Sequence, residues 1–123
     1  RYGLDVLKQQ GIEPSETRLV GGGAKSVLWR QMVADLFKCP VICPASTEAG
    51  ALGAAVQSMW CHSTTQGEDV SLKDLTDQHI VMDTTTRTLP DDKTSSLYDG
   101  MYGRYLELDQ AMRPINRSAG FSK

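Results

Sequence analysis

The nine residues Arg18-Leu-Val-Gly-Gly-Gly-Ala-Lys-Ser26 form the stretch of this sequence best suited to holding a ligand. The apolar pair Leu19-Val20 runs straight into three glycines, and residues of helical period follow from Val27. The order reads as strand, tight loop, helix. Glycine lets a backbone come close to a bound group, and the first N–H groups of a helix have no partner inside it. Such a junction can seat a phosphate or a nucleotide. A plain strand-to-helix turn also uses glycine, for its dihedral freedom, so the rest of the chain must decide.

The known phosphate loops do not match as they stand. No glycine lies at the spacing of Gly-x-x-x-x-Gly-Lys-Ser/Thr. If Gly21 and Gly23 begin a Gly-x-Gly-x-x-Gly run, Ser26 takes the place of its last glycine. Lys25 suits a phosphate and bulk solvent equally. Catalytic groups are missing from the pattern. His62 and His79 have no neighbouring base, no Ser/His/Asp order is supported, and Glu68-Asp69 and Asp91-Asp92 fall in polar stretches. The pair Asp91-Asp92 reads as helix-capping charge. The sequence offers a binding surface without a catalytic base.

Cys39, Cys43 and Cys61 lack the Cys-x-x-Cys pairing of a metal site, and Cys61-His62 is the only Cys/His neighbour pair. They read as buried or half-buried free thiols in a reducing compartment, with Cys61 at a helix end, and the cytoplasm is the expected location. No metal ligand is assigned.

The elements that must position the glycines follow in order. Tyr2, Val6 and Leu7 make the end of a helix over residues 1–10, and Gly11 stands where a C-cap belongs. Pro14 marks a connector, and Thr17–Val20 a short buried strand. From Ser26 to Phe37, Leu28, Met32 and Leu36 recur with Trp29, Val33 and Phe37, predicting an amphipathic helix with this stripe in the core. Pro40 ends it, Val41-Ile42-Cys43 make a second strand, and Pro44 closes that. Ala45-Ser-Thr47 offers N-caps for a helix through Glu48-Ala-Gly-Ala-Leu-Gly-Ala-Ala55 and on to Trp60. Gly50 and Gly53 each cost a helix interior about 1 kcal/mol against alanine, so a close backbone or a flat ligand should compensate.

A polar loop spans about 62–90, holding at most a helical turn and a short strand. The last helix opens at Asp91-Asp92, carries Tyr98, Met101, Tyr102, Tyr105 and Met112 on one face, and is stopped by Pro114. Residues 115–123 read as a flexible tail. Strands alternating with helices predict an α/β fold with parallel pairing. Two strands make a poor sheet, and the chain opens at Arg1 in apparent mid-helix, so part of a larger domain is expected.

The chain has 123 residues, enough for one domain, and a net charge of −2. It has no basic footprint for nucleic acid or an anionic membrane. No apolar run approaches the roughly 18 residues of a membrane helix, and nothing resembles a signal peptide.

Two motifs carry a resemblance. Gly-Gly-Gly-Ala-Lys-Ser26-x-x-Trp-Arg-Gln-Met32-x-Ala-Asp35, followed after a short strand by Glu48-Ala-Gly-Ala-Leu-Gly-Ala-Ala55, resembles the C-terminal domain of the FGGY carbohydrate kinases. The final helix resembles that family's last helix too, so the likeness covers essentially the whole chain. Within the family the motifs are most similar to the enzymes that phosphorylate D-xylulose to D-xylulose 5-phosphate. The resemblance implies an α/β fold of the actin/hexokinase/Hsp70-like, ribonuclease H-like superfamily, with residues 1–114 as part of its nucleotide-binding domain. It implies ATP with Mg2+ in a cleft between two domains, the metal ligands mostly outside this chain.

By the same resemblance Gly21, Gly22, Gly23 and Ala24 lie beside the nucleotide with Ser26 nearby, and the segment containing Gly50 and Ala51 shapes the adenine pocket. The catalytic base and sugar-binding residues match no position here, so the chain alone is expected to be inactive. Its implied partners are ATP, a small sugar and the remainder of the kinase chain, and a homodimer is allowed. The alternative is an actin-like nucleotide-binding regulator or an interaction domain without sugar kinase activity.

Overall fold

The computed structural model describes the backbone of residues 1–118 and the side chains of residues 1–115. Helix α1 (Tyr2–Gln9) leads through Gly11, at φ +82°, to strand β1 (Thr17–Arg18). A 3-10 turn (Gly22–Lys25) opens helix α2 (Val27–Phe37), which feeds strand β2 (Val41–Pro44). Helices α3 (Ala49–Thr65) and α4 (Leu72–His79), strand β3 (Met82–Thr88) and helix α5 (Asp92–Ser118) complete the order. Among the described residues, no helix is long and apolar enough to cross a membrane.

The sheet runs β1-β2-β3. β1 and β2 pair in parallel, Thr17 opposite Val41 and Arg18 opposite Ile42, with α2 as their crossover. β3 supplies the third strand that two parallel ones needed, and it pairs antiparallel. With α4 and the end of α3 it takes up most of the polar loop expected over about 62–90, where the sequence predicts at most a helical turn and a short strand. Its register slips between Val41↔Thr88 and Cys43↔Asp83, so β3 carries extra residues in a bulge. There the Thr86 hydroxyl accepts from Cys43 N at 2.9 Å and donates to Asp83 O at 2.6 Å.

The core gathers on β2 and the middle of α2. Val41 and Ala34 are wholly buried, Ile42, Cys39 and Cys43 nearly so, and Val56 of α3 and Leu75 of α4 are the buried residues of their helices. The expected core stripe of α2 holds only in part. Met32, Val33, Leu36 and Phe37 are half-buried, whereas Leu28 is 71 % exposed and Trp29 48 %. The first turn of α2 reaches past the buried centre, where the small Ala34 allows close approach to the strands. Cys61 lies inside α3, exposed, and not in a buried helix end.

Helix α5 departs from expectation at Pro114, which sits inside it. The helix continues to Ser118, and residues 119–123 of the expected flexible tail lie outside the described residues. Asp91 caps the start of α5 as the capping reading requires, its Oδ1 accepting from Thr94 N at 2.8 Å. On the face that carries the tyrosines, Tyr98 and Tyr102 are half-buried and Met101, Tyr105 and Met112 are exposed.

Asp99 of α5 joins three elements, accepting from Lys38 Nζ and from Arg1 Nη1, each at 2.6 Å. Lys38 and then Arg1 hold its carboxyl below the usual carboxylate range. A lowered folded value means that its contribution is present above about pH 4 and fades as pH falls through that lowered value. Asp99→Asn is therefore expected to lower the thermal midpoint by about 1–2 °C at neutral pH. The gap should close as pH falls below that lowered value; a gap independent of pH would contradict the ionic origin.

Candidate functional site

Parallel strands in open α/β sheets present their carboxyl ends to ligands. Here the chain leaving β1 and the chain leaving β2 diverge around a hollow of about 290 Å³. Leu19 still holds the sheet, its N–H donating to Ile42 O at 2.9 Å. Gly21 then turns the backbone at φ +88° and ψ −177°, a conformation open to glycine almost alone. Ala24 N donates to Gly21 O and Ser26 N to Gly23 O, both at 3.0 Å, so the expected loop is a short 3-10 turn.

The structure divides the anticipated site residues. Gly21 and Ala24 line the hollow, and Lys25 with them. Gly22 is exposed on the turn, with open space where a Cβ would stand. Gly23 backs onto Trp29, whose Cδ1 would lie 2.9 Å from a Cβ placed there. Ser26 caps α2, its Oγ accepting from Trp29 N at 3.3 Å. Gly50 lines a neighbouring hollow of about 370 Å³ with Ala49, Leu52 and Met82; the two hollows share Val20 and Pro44. Ala51 is exposed and lines neither. Within 4 Å of a Cβ at Gly50 or Gly53 there is nothing among the described residues, so no close packing inside this chain accounts for these glycines.

Three wall residues went unanticipated. Arg30, Asp83 and Thr86 all line the first hollow. The Arg30 Nη1 donates to Ala24 O at 2.7 Å, while its Nε is buried without a partner among the described residues. Asp83 Oδ1 accepts from the Thr85 hydroxyl at 2.6 Å and from Thr85 N at 3.0 Å. Those bonds, with the positive charge of Arg30 adding, hold the Asp83 carboxyl below its ordinary range. The walls thus carry two cations, Lys25 and Arg30, and one ionised carboxylate, beside a backbone turn with almost no side chains. In the sequence Arg30 stands off the apolar stripe of its helix, with nothing local to place it on a hollow. Asp83 and Thr86 carried no signal, because the bulge that brings them in depends on pairing with β2.

The comparisons with known proteins agree with this architecture. Residues 1–62 match the model of the FGGY family of carbohydrate kinases, C-terminal domain. A xylulose kinase of Haemophilus influenzae is 42 % identical over 106 residues, which are 86 % of this chain and 20 % of that protein. A gluconokinase of Bacillus licheniformis is 29 % identical over 92 residues, 75 % of this chain and 17 % of that protein. Among solved structures, a ligand-bound xylulose kinase from Lactobacillus acidophilus superposes with a TM-score of 0.67 at 23 % identity, over 82 % of this chain and 19 % of that one. This chain therefore spans about a fifth of the length of such relatives. Its mixed α/β fold is that of the FGGY sugar kinases, which is actin/hexokinase-like. The motif pair, the sheet and these matches agree: the chain belongs to the FGGY family of carbohydrate kinases, as part of its C-terminal domain.

Proposed function

We propose that residues 1–114 supply part of the ATP site of a kinase that phosphorylates D-xylulose on an alcohol group. The observation that carries the reading is the side-chain-poor turn Gly21–Lys25 at the carboxyl ends of two parallel strands, with Lys25 and Arg30 on the same hollow. A nucleotide fits this chemistry. Its phosphates suit the two cations and the open backbone of the turn, and its ribose hydroxyls suit an ionised carboxylate such as Asp83. Gly21, Gly22, Gly23 and Ala24 are assigned to the nucleotide, with Ser26 acting through the cap it gives α2. Gly50, on the adjoining hollow, and its neighbour Ala51, which lines neither hollow, are assigned to the adenine side.

Phosphoryl transfer is mostly positioning and electrostatics, with Mg2+ neutralising charge on the phosphates. The chain contributes positioning; the base, the sugar contacts and most metal ligands are assigned to the remainder of a longer kinase. D-xylulose is chosen over gluconate on the 42 % identity to a xylulose kinase against 29 % to a gluconokinase.

The test is ATP consumption by the full-length kinase with D-xylulose, gluconate and other ketoses in parallel. D-xylulose should give the highest kcat/KM. A preference for gluconate would replace the substrate, and no sugar-dependent turnover would favour a nucleotide-binding regulator. Gly22→Val adds a second measurement. Open space at Gly22 leaves the fold little changed, whereas the KM for ATP should rise about tenfold if nucleotide meets this backbone. An unchanged nucleotide affinity would remove the turn from the site.

A further inference from the structure

The glycine turn cannot set its own shape. Its three glycines carry no side chains, and within the turn only short-range backbone hydrogen bonds hold it, among them Ala24 N to Gly21 O and Ser26 N to Gly23 O. Whatever fixes it comes from outside, and α2 supplies two grips. The Trp29 indole lies against Gly23, close enough that a Cβ there would meet Cδ1 at 2.9 Å and Nε1 at 3.0 Å. From the next residue, Arg30 reaches back over the start of its helix to bind Ala24 O at 2.7 Å. The Cys43 thiol lies 3.9 Å from the same oxygen, on the β2 side.

We infer that the pair Trp29-Arg30 sets the turn in its nucleotide-binding shape, making both residues positioning residues for nucleotide affinity. The inference rests on the reading of the hollow as the nucleotide site. Trp29 bears on Gly23 and is no part of the hollow's wall. Arg30 does line the hollow, but one nitrogen is committed to Ala24 and Nε is sealed from solvent. Its charge also helps to lower the Asp83 carboxyl on the β3 wall. A displacement of the order of 1 Å in a positioning element can change rates or affinities by up to about a hundredfold.

The test is a suppression experiment on the full-length kinase. Gly23 is outside the left-handed region, so alanine there meets no backbone strain and only the indole ring opposes it. Gly23→Ala should raise the KM for ATP about tenfold while the sugar KM and the thermal midpoint stay near the parent values. Trp29→Ala alone should also raise it, by removing the support. The double variant should bind ATP better than Gly23→Ala alone, because the ring that the methyl displaces is gone. Arg30→Met should raise the KM for ATP with little change in the sugar KM. If the Gly23→Ala and Trp29→Ala losses simply add, or if all three single variants leave the KM for ATP unchanged while Gly22→Val raises it, the positioning role is overturned. If Gly22→Val also leaves it unchanged, the nucleotide reading itself has failed.

Discussion

Asp35→Ala is expected to destabilise this domain by about 3 kcal/mol, a large effect for one side chain. Asp35 is 1 % exposed on the inner side of α2. Its Oδ1 accepts from Gln31 Nε2 and from Asp91 N, each at 2.7 Å. The same Gln31 nitrogen donates to Leu89 O at 3.0 Å. One carboxylate therefore ties the middle of α2 to the segment that turns from β3 into α5. Alanine removes both bonds and leaves a buried cavity beside an unpaired N–H. Asparagine keeps the shape and one neutral acceptor, so Asp35→Asn should lose about half as much. Urea unfolding of the protein with each variant measures the difference; a loss below about 1 kcal/mol for alanine would mean that water replaces both bonds.

The motif Ala-Asp35 shows how the sequence reveals some things and hides others. Asp35 falls off the apolar stripe of its helix, yet it is buried: of the two donors that bond it, Gln31 is one turn away and Asp91 N lies at a sequence separation of 56. Several local signals proved dependable, although α3 begins after Glu48 without a side-chain cap and not on the N-caps that Ala45-Ser-Thr47 offered. Gly11 takes its positive φ, Ser26 caps α2 and Asp91 caps α5, because each depends on neighbours a few residues away. The turn at Gly21 and the parallel strands it joins were legible for the same reason. β3 was not. Asp83-Thr-Thr-Thr-Arg87 has the β-branched content of a strand but no alternation of apolar residues. Its bulge is held by a threonine side chain bonded to a backbone N–H at a separation of 43.

The α2 stripe was misjudged at its start for a different reason. Period locates a face, but not how far the neighbouring strands extend beneath it, so Leu28 and Trp29 could not be told from Val33. Pro114 was read as a stop from its missing N–H, and α5 runs through it. In the site, the backbone positions Gly21 and Ala24 were visible as glycine-rich turn, whereas Arg30 and Asp83 needed the fold to bring them to one hollow.

Gly21→Ala is expected to have the largest functional effect of any substitution in the turn, and for a backbone reason. Its φ of +88° with ψ of −177° lies where a side chain costs about 1–3 kcal/mol. Steric crowding is no part of this, since a Cβ at Gly21 meets nothing within 4 Å. The strain can be relieved only by rotating the chain at Gly21, which moves the carbonyl that Ala24 N binds at 3.0 Å and so the opening of the turn. Loss of that shape should weaken ATP binding by about a hundredfold, with a fall in stability of about 2 kcal/mol. Gly22 is the internal control. It has no positive φ and has open space, so Gly22→Ala should fold as the parent does and change ATP affinity only by what one methyl occludes. Nucleotide titration of the two alanine variants, with a thermal melt of each, separates backbone shape from occupied space. Equal affinities in the two variants would show that the positive φ at Gly21 serves the path of the chain alone. A Gly21→Ala variant weakened far beyond Gly22→Ala would show that the turn's conformation, more than its lack of side chains, makes the site.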